Sequence, residues 1–338
     1  MLTQAEIIRS FSALGNILSS DNEPLNANIN KTYLNNNWLT TENYWQALNY
    51  WKSALSDNTL TEFCKDYPIN STPKQVGIIM AGNIPLVGFH DLLVVLLSGN
   101  EAIVKPSSDD KYVIAYLIGE LQKINSQLGN RITLVERLKD IDAVIATGSN
   151  NSFRYFEYYF KDIPSVLRKN RKSIAVLDGS ETAQDLDGLA RDVFEYFGLG
   201  CRNVSYILLP KSSNITKVLD HFMSYTELSN HNKYANNYTY HKALLLMNNE
   251  QHLDTGFVLA KERKDLNTPL ACIHYSYYEN EADLDQIIEK DADHIQCIVG
   301  NYSKANTVAF GSSQNPSLQD FADNINTMKF LKELNNSI

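Results

Sequence analysis

Val76-Gly77-Ile78-Ile79-Met80-Ala81-Gly82-Asn83-Ile84-Pro85-Leu86 is the stretch on which the fold turns. Residues 75–80 read as a short apolar strand, closed by the turn signal Gly-Asn-x-Pro. Residues 85–97 then read as a helix rich in leucine and valine. The same alternation continues downstream. Residues 101–105 form a strand stopped by Pro106, and 111–121 a helix. Residues 143–146 form a strand, followed by Gly148-Ser149 and a helical stretch at 153–160. Residues 173–177 are another strand, 183–197 another helix, and Tyr206-Ile207-Leu208-Leu209 a further apolar run. Alternation of this kind predicts an α/β fold, with a mostly parallel sheet covered by helices on both faces. Functional loops in such sheets lie at the carboxyl ends of the strands.

Outside this region the texture differs. Residues 1–60 read as helices around an asparagine-rich turn at Asn35-Asn36-Asn37. Thr40 or Thr41 caps a helix whose Tyr44, Leu48, Trp51 and Leu55 share a core-facing stripe. Residues 211–255 are polar and read as long loops around a strand at 243–246. Strand, helix and strand resume at 269–275, 281–289 and 295–299. Phe321, Ile325, Met328 and Leu331 fall at helical spacing in the tail, a face expected to dock on the rest of the chain in preference to a second copy. The expected division is 1–195 (N-terminal helices plus a dinucleotide-binding domain), 196–315 (a catalytic cysteine domain) and a helical tail at 316–338.

Composition narrows the function. The 338 residues carry a formal net charge of −9, with 43% hydrophobic and 20% charged residues and no basic run. A concentrated basic face is missing, so nucleic acid and anionic membrane surfaces are poor partners. The four cysteines, at 64, 201, 272 and 297, form no CxxC pair and fit a reducing compartment. Residues 1–15 read as an amphipathic helix and not a signal peptide, and the apolar run at 92–97 is too short to span a bilayer. A cytoplasmic protein is expected. The seven histidines show no metal-ligand spacing, so no metal site is expected, and GxGxxG, P-loop and HExxH motifs are absent.

Four pieces carry chemistry. Cys201 lies in Phe197-Gly198-Leu199-Gly200-Cys201-Arg202-Asn203, where glycines let backbone crowd close to a thiol presented at a strand entrance. Such a thiol acts as a nucleophile when its thiolate is stabilised, and otherwise is a half-buried packing residue. Cys272 and Cys297 sit within apolar strands and fit the packing role. Asn83, at a strand end, suits either an ordinary turn or an amide donor to an oxyanion beside the Cys201 N–H. Lys105-Pro106-Ser107-Ser108 places a lysine within reach of ribose or phosphate, although strand-end lysines are often merely solvated. Gly148-Ser149 precedes a helix, which suits a simple cap or a pyrophosphate or nicotinamide contact.

In this order the pieces resemble the aldehyde dehydrogenase superfamily over roughly residues 75–311. The stretch at 76–86 resembles the segment bearing that family's oxyanion asparagine. Residues 97–107 resemble the run ending at its cofactor-ribose lysine, Ala146-Thr147-Gly148-Ser149 its helix start beside the nicotinamide, and Lys172-Ser173 through Gly200-Cys201 the approach to its catalytic cysteine. Ala81-Gly82-Asn83-Ile84-Pro85 together with Phe-Gly-x-Gly-Cys is most similar to the fatty acyl-CoA reductase family, which includes the component supplying aldehyde to bacterial luciferase. The resemblance implies an aldehyde-dehydrogenase-like fold of two α/β domains. It also implies an acyl thioester substrate, acyl-CoA or an acyl carrier, with an acyl-transferring enzyme as a further partner and a homo-oligomer as an assembly it admits.

The departures sharpen that implication. Hydrolytic members carry a glutamate four residues before the lysine matching Lys172; here that position is Arg168, which leaves no carboxylate to activate water. Ser108 stands where NAD-preferring relatives often place a glutamate, so NADPH is the expected cofactor, with NADH the alternative. The family's later ribose-binding glutamate falls near Asp265. Expected catalytic residues are therefore Cys201 and Asn83, and expected cofactor residues Lys105, Ser107, Ser108, Gly148, Ser149 and Asp265. The competing readings are CoA-acylating aldehyde oxidation at the same site, a cysteine hydrolase using His90 or His221 as base, and a cofactor-binding protein without catalysis.

Overall fold

The computed structural model describes residues 2–70, 72–305 and 307–334. The chain forms two compact units, one taking residues up to Asn170 and from Ser317 onward, the other Arg171–Pro316.

The first unit opens with four helices, α1 (Gln4–Asn16), α2 (Glu23–Asn35), α3 (Thr41–Ala54) and α4 (Asp57–Cys64). Thr40 caps α3 by accepting from the Asn43 N–H, and Tyr44, Leu48, Trp51 and Leu55 are all buried along its expected stripe. Then come β1 (Gln75–Ile79), α5 (Phe89–Leu97), β2 (Glu101–Lys105), α6 (Lys111–Ile124), α7 (Ser126–Gly129), β3 (Ile132–Leu134), β4 (Ala143–Thr147), α8 (Asn150–Tyr159) and β5 (Ser165–Arg168). The five strands pair in parallel in the order β3-β2-β1-β4-β5. Strand order reverses between β1 and β4, which makes their carboxyl ends a topological switch point.

Helix α5 runs through the core of this unit. Almost every residue of Phe-His-Asp-Leu-Leu-Val-Val-Leu-Leu is buried, Asp91 included. A carboxylate enclosed on all sides needs a partner, and Arg168 at the end of β5 supplies it. Its Nη1 lies 2.8 and 2.7 Å from the two Asp91 oxygens, and its Nη2 donates to Thr327 Oγ1 at 3.0 Å.

The second unit comprises β6 (Lys172–Val176), α9 (Ala183–Phe194), β7 (Val204–Pro210), α10 (Ile215–Phe222), α11 (Asn232–Met247), β8 (Leu253–Asp254), β9 (Leu259–Glu262), β10 (Cys272–Tyr278), α12 (Glu281–Lys290) and β11 (Ile295–Gly300). Its sheet runs β11-β6-β7-β10-β9-β8, parallel throughout apart from the β8–β9 pair. The chain then returns to the first unit, where α13 (Thr327–Glu333) buries Met328 and Leu331 in the core with Phe321. The tail therefore docks within the chain.

Four expectations change. The units divide at 170/171 and not 195/196, because β6 pairs with β7 and β11 and takes α9 with it. The tail at 316–338 is not a separate piece, since its apolar face completes the first core. Residues 211–255 are mostly helical, and 243–246 lie inside α11 and not in a strand. Residues 85–88 form a turn, because Leu86 takes the left-handed conformation (φ 57°) before α5 begins at Phe89. Among the described residues no helix is long and apolar enough to cross a membrane.

The buried ion pair yields a prediction. Asp91→Ala leaves the Arg168 guanidinium enclosed without its counter-charge and is expected to cost about 3–5 kcal/mol, whereas Asp91→Leu with Arg168→Met recovers most of that loss. Urea unfolding followed by tryptophan fluorescence checks it, since Trp38, Trp45 and Trp51 all belong to the first unit.

Candidate functional site

In the first unit three expected pieces share one edge of one sheet. Asn83 follows β1, Lys105 ends β2, and Gly148-Ser149 follow β4; these strands are adjacent and parallel. The loops after β1 and β2 touch closely. A Cβ built on Gly82 would lie 2.2 Å from Ser107 Oγ and 2.5 Å from Ser107 Cβ, so only glycine fits. Asn83 is exposed at the tip of its loop. Lys105 is half-buried and makes no ion pair among the described residues. Ser107 accepts from the Asp109 N–H at 3.2 Å, and the Ser108 carbonyl accepts from Asn35 at 3.1 Å.

Ser149 is the N-cap of α8, accepting from the Ser152 N–H at 3.2 Å. A Cβ on Gly148 would come within 2.8 Å of Phe156 and 2.9 Å of Ser152, so the strand-to-helix turn is also drawn tight.

Asp110 was missed because, just before α6, it reads as a helix cap. Its side chain caps nothing. It accepts instead from the Tyr44 hydroxyl of α3 and, at 2.8 Å, from the N–H of left-handed Leu86. The N-terminal helices thus hold the loop that carries Asn83. Burial pushes the Asp110 carboxyl up to about 7, against the pull of both hydrogen bonds.

In the second unit the cluster lies at the opposite kind of edge. Cys201 precedes β7 and Lys172 begins β6, so both stand at amino ends of strands. Helix α9 stops at Phe194 because Tyr196 (φ 52°) and Phe197 (φ 60°) turn left-handed ahead of Gly198 (φ 75°). Two aromatic residues held there store about 1–3 kcal/mol each. Cys201, half-buried, has its carbonyl gripped by Ser173 Oγ at 2.9 Å, and the same oxygen lies 3.1 Å from Cys297 Sγ. Burial pulls the Lys172 ammonium below the usual lysine range, a shift opposed by the neighbouring Cys201 sulfur. Lys172 donates to the Thr268 carbonyl at 3.3 Å, which draws the 265–268 loop to the same place. Asp265 itself pairs with Arg263 at 3.0 Å and accepts from the Asn267 N–H, which holds its carboxyl below the usual range.

Each unit thus gathers its own group: Asn83, Lys105, Ser107, Ser108, Gly148 and Ser149 in the first, and Cys201 with the Asp265 loop in the second. Asn203, quoted at the sequence level without a role, is wholly enclosed and makes four side-chain hydrogen bonds. Neither histidine proposed for a hydrolase is uncommitted. His90 donates to the Leu318 carbonyl at 3.0 Å between the rings of Phe63 and Phe321, and His221 pairs with Asp187 at 2.7 Å. The described residues contain no group of three or more His, Cys, Asp or Glu able to hold a metal.

Comparison with known proteins adds to this picture. A family model described as acyl-CoA reductase (LuxC) matches residues 60–310. The long-chain acyl-protein thioester reductase of Aliivibrio fischeri is 26% identical over 165 residues, covering 42% of this chain and 34% of that protein. The match thus spans about a third of that relative's length. Among solved structures, aldehyde dehydrogenase from Bacillus cereus aligns with a TM-score of 0.65 at 13% identity, over 90% of this chain and 72% of that one. Mycobacterium tuberculosis aldehyde dehydrogenase complexed with NAD+ aligns at 0.63 and 14% identity, over 91% and 77%. The fold is that of an aldehyde dehydrogenase.

Asp110 makes the first unit's stability depend on pH. Its proton is kept in the folded state up to about 7 but leaves the unfolded chain near 3.8, so stability falls as pH rises between those values and levels off above. Asp110→Asn is expected to remove that slope. Denaturation midpoints across pH 4 to 8, wild type against variant, measure it.

Proposed function

This chain belongs to the acyl-CoA reductase (LuxC) family, and on that premise we propose that it reduces an acyl thioester to an aldehyde through an acyl-cysteine at Cys201. The carrying observation is that the family match at 60–310 encloses every residue assigned a role, from Asn83 to Asp265.

The first unit suits a nicotinamide dinucleotide, NADPH in preference to NADH. Three loops converge at a switch point, Gly82 keeps two of them in contact, and Lys105 offers a half-buried cation with no protein counter-charge among the described residues. Lys105 with Ser107 and Ser108 would hold the ribose end, and Gly148, Ser149 and the start of α8 the pyrophosphate or nicotinamide side. Asp265 is the candidate for the second ribose. Ser108 brings no negative charge against a 2′-phosphate, whereas Asp109, packed beside Gly82, is the residue that would favour NADH. When bound, the cofactor supplies the hydride that the acyl carbon receives.

The chain's own residues do the rest. Cys201 thiolate forms a bond to the thioester carbonyl carbon while the carrier's sulfur departs as thiolate and takes a proton. The Asn83 amide and the Cys201 N–H are assigned to the developing oxyanion, each donor of this kind being worth about 3 kcal/mol. After reduction the thiohemiacetal releases aldehyde and returns the sulfur. Lys172, half-buried next to Cys201, favours the thiolate by its charge. Arg168, which occupies the place of the hydrolytic glutamate, has its guanidinium committed to Asp91 and Thr327 and cannot act as a base. The acyl-cysteine therefore persists for reduction instead of being hydrolysed.

NADPH consumption against a chain-length series of acyl-CoAs tests this reading. Cys201→Ala is expected to lower turnover by about a thousandfold or more, and mass spectrometry of wild type without cofactor should find the acyl group on Cys201. No cofactor consumption, or an acyl group trapped on another cysteine, rejects the mechanism. Separately, Gly82→Ala is expected to weaken NADPH binding by about tenfold or more, read by fluorescence titration, because the loops after β1 and β2 must part.

A further inference from the structure

We infer that Asn203 is the positioning residue for the nucleophile, because it fixes the Gly200–Cys201 peptide and so aims the Cys201 N–H at the substrate oxygen. The inference rests on the proposed role of Cys201 and adds a residue to which that proposal gives no part.

The geometry is specific. Asn203 is 2% exposed. Its Nδ2 donates to the carbonyls of Asp192 (3.1 Å), Val193 (3.3 Å) and Glu195 (2.9 Å) at the end of α9. Carbonyls in a final helical turn have no partner within the helix, and here one amide group shares its two hydrogens among two of them and the carbonyl of Glu195 just beyond. Oδ1 accepts from the Gly200 N–H at 2.8 Å, and the Asn203 N–H donates to the Gly200 carbonyl at 3.1 Å. A trans peptide is planar, with its C=O and N–H pointing in opposite directions. The main-chain bond to the Gly200 carbonyl therefore fixes the direction of the Cys201 N–H, and the side chain keeps Asn203 where that bond forms by gripping the Leu199–Gly200 peptide at one end and the end of α9 at the other. Ser173 holds the next carbonyl, that of Cys201, so the residue is anchored on both sides.

The strained turn gives the clamp its purpose. Tyr196, Phe197 and Gly198 all lie in the left-handed region between α9 and the cysteine. Such a run persists only where surrounding bonds over-determine it. Asn203 spans it, joining the backbone before the turn to the backbone after it. Asp192, one of the residues whose carbonyl it holds, uses its carboxylate to accept from the N–H groups of Gly311 (2.6 Å) and Ser313 (2.9 Å), which anchors that end in turn.

The test compares two reactions of one sulfur. Acylation by a thioester develops an oxyanion and needs the aimed N–H; alkylation by iodoacetamide displaces iodide and develops none. Asn203→Asp keeps the size and the acceptor but replaces the amide donor with a carboxylate facing three carbonyls. It is expected to slow single-turnover acylation of Cys201 by about 10- to 100-fold, with iodoacetamide alkylation and NADPH affinity near wild type. Unchanged acylation, or both reactions falling by the same factor, overturns the inference. Should the aspartate variant not fold, Ser173→Ala removes the other anchor and decides the matter: slowed acylation with alkylation preserved supports it, and unchanged acylation overturns it. Failure of the underlying mechanism reads differently, as wild-type protein that takes no acyl group on Cys201 at all.

Discussion

One buried ion pair organises the first unit. Helix α5 is apolar apart from His90 and Asp91, and an enclosed carboxylate without a partner would cost several kcal/mol in lost hydration. Arg168 resolves this from β5 and reaches on to Thr327, so that helix, sheet and tail meet at one guanidinium. The same arrangement has a chemical side. In the proposed reading Arg168 stands where hydrolytic aldehyde dehydrogenases carry a water-activating carboxylate.

The two sheets present their candidate residues differently. In the first, Asn83 and Gly148 follow strands and Lys105 ends one, as the rule for open parallel sheets anticipates. In the second, Cys201 and Lys172 stand where strands begin. Placing a thiol ahead of a strand demands an abrupt turn out of the preceding helix. That demand accounts for the left-handed aromatic residues and for the buried asparagine that bridges them. Position along a strand is thus a weaker guide to the cysteine than the glycines around it.

Much of this was legible in the sequence, and the reasons are local. From residue 75 to 210 the apolar runs that were read as strands and helices agree with the structure to within a few residues, whereas the short edge strands β3 and β5, at 132–134 and 165–168, gave no such run and went unread. The order Asn83, Lys105, Gly148, Cys201 carried the family. Failures arose where tertiary partners decide. Ala243-Leu244-Leu245-Leu246 has the look of a strand, yet Ala243, Leu244 and Leu246 are exposed on a helix whose only buried residue is Tyr234. The unit boundary was misplaced because nothing local reveals that residues 172–176 pair with 204–208 and 295–300. Asp110 and Asn203 were overlooked because the polar residues that matter through their partners look ordinary until those partners are known.

The chain path has a consequence for how the molecule is made. Residues 171–316 are inserted into the first unit, whose last core residues, Met328 and Leu331, come after the whole second unit. A ribosome emits the segments in order, so the second unit can complete itself while the first still lacks its closing helix. Until then the apolar surface that α13 covers is open to solvent and to chaperones. Completion of the first unit thus waits until α13 has been made, and a chain interrupted between Pro316 and Thr327 would carry a finished second unit beside an unfinished first.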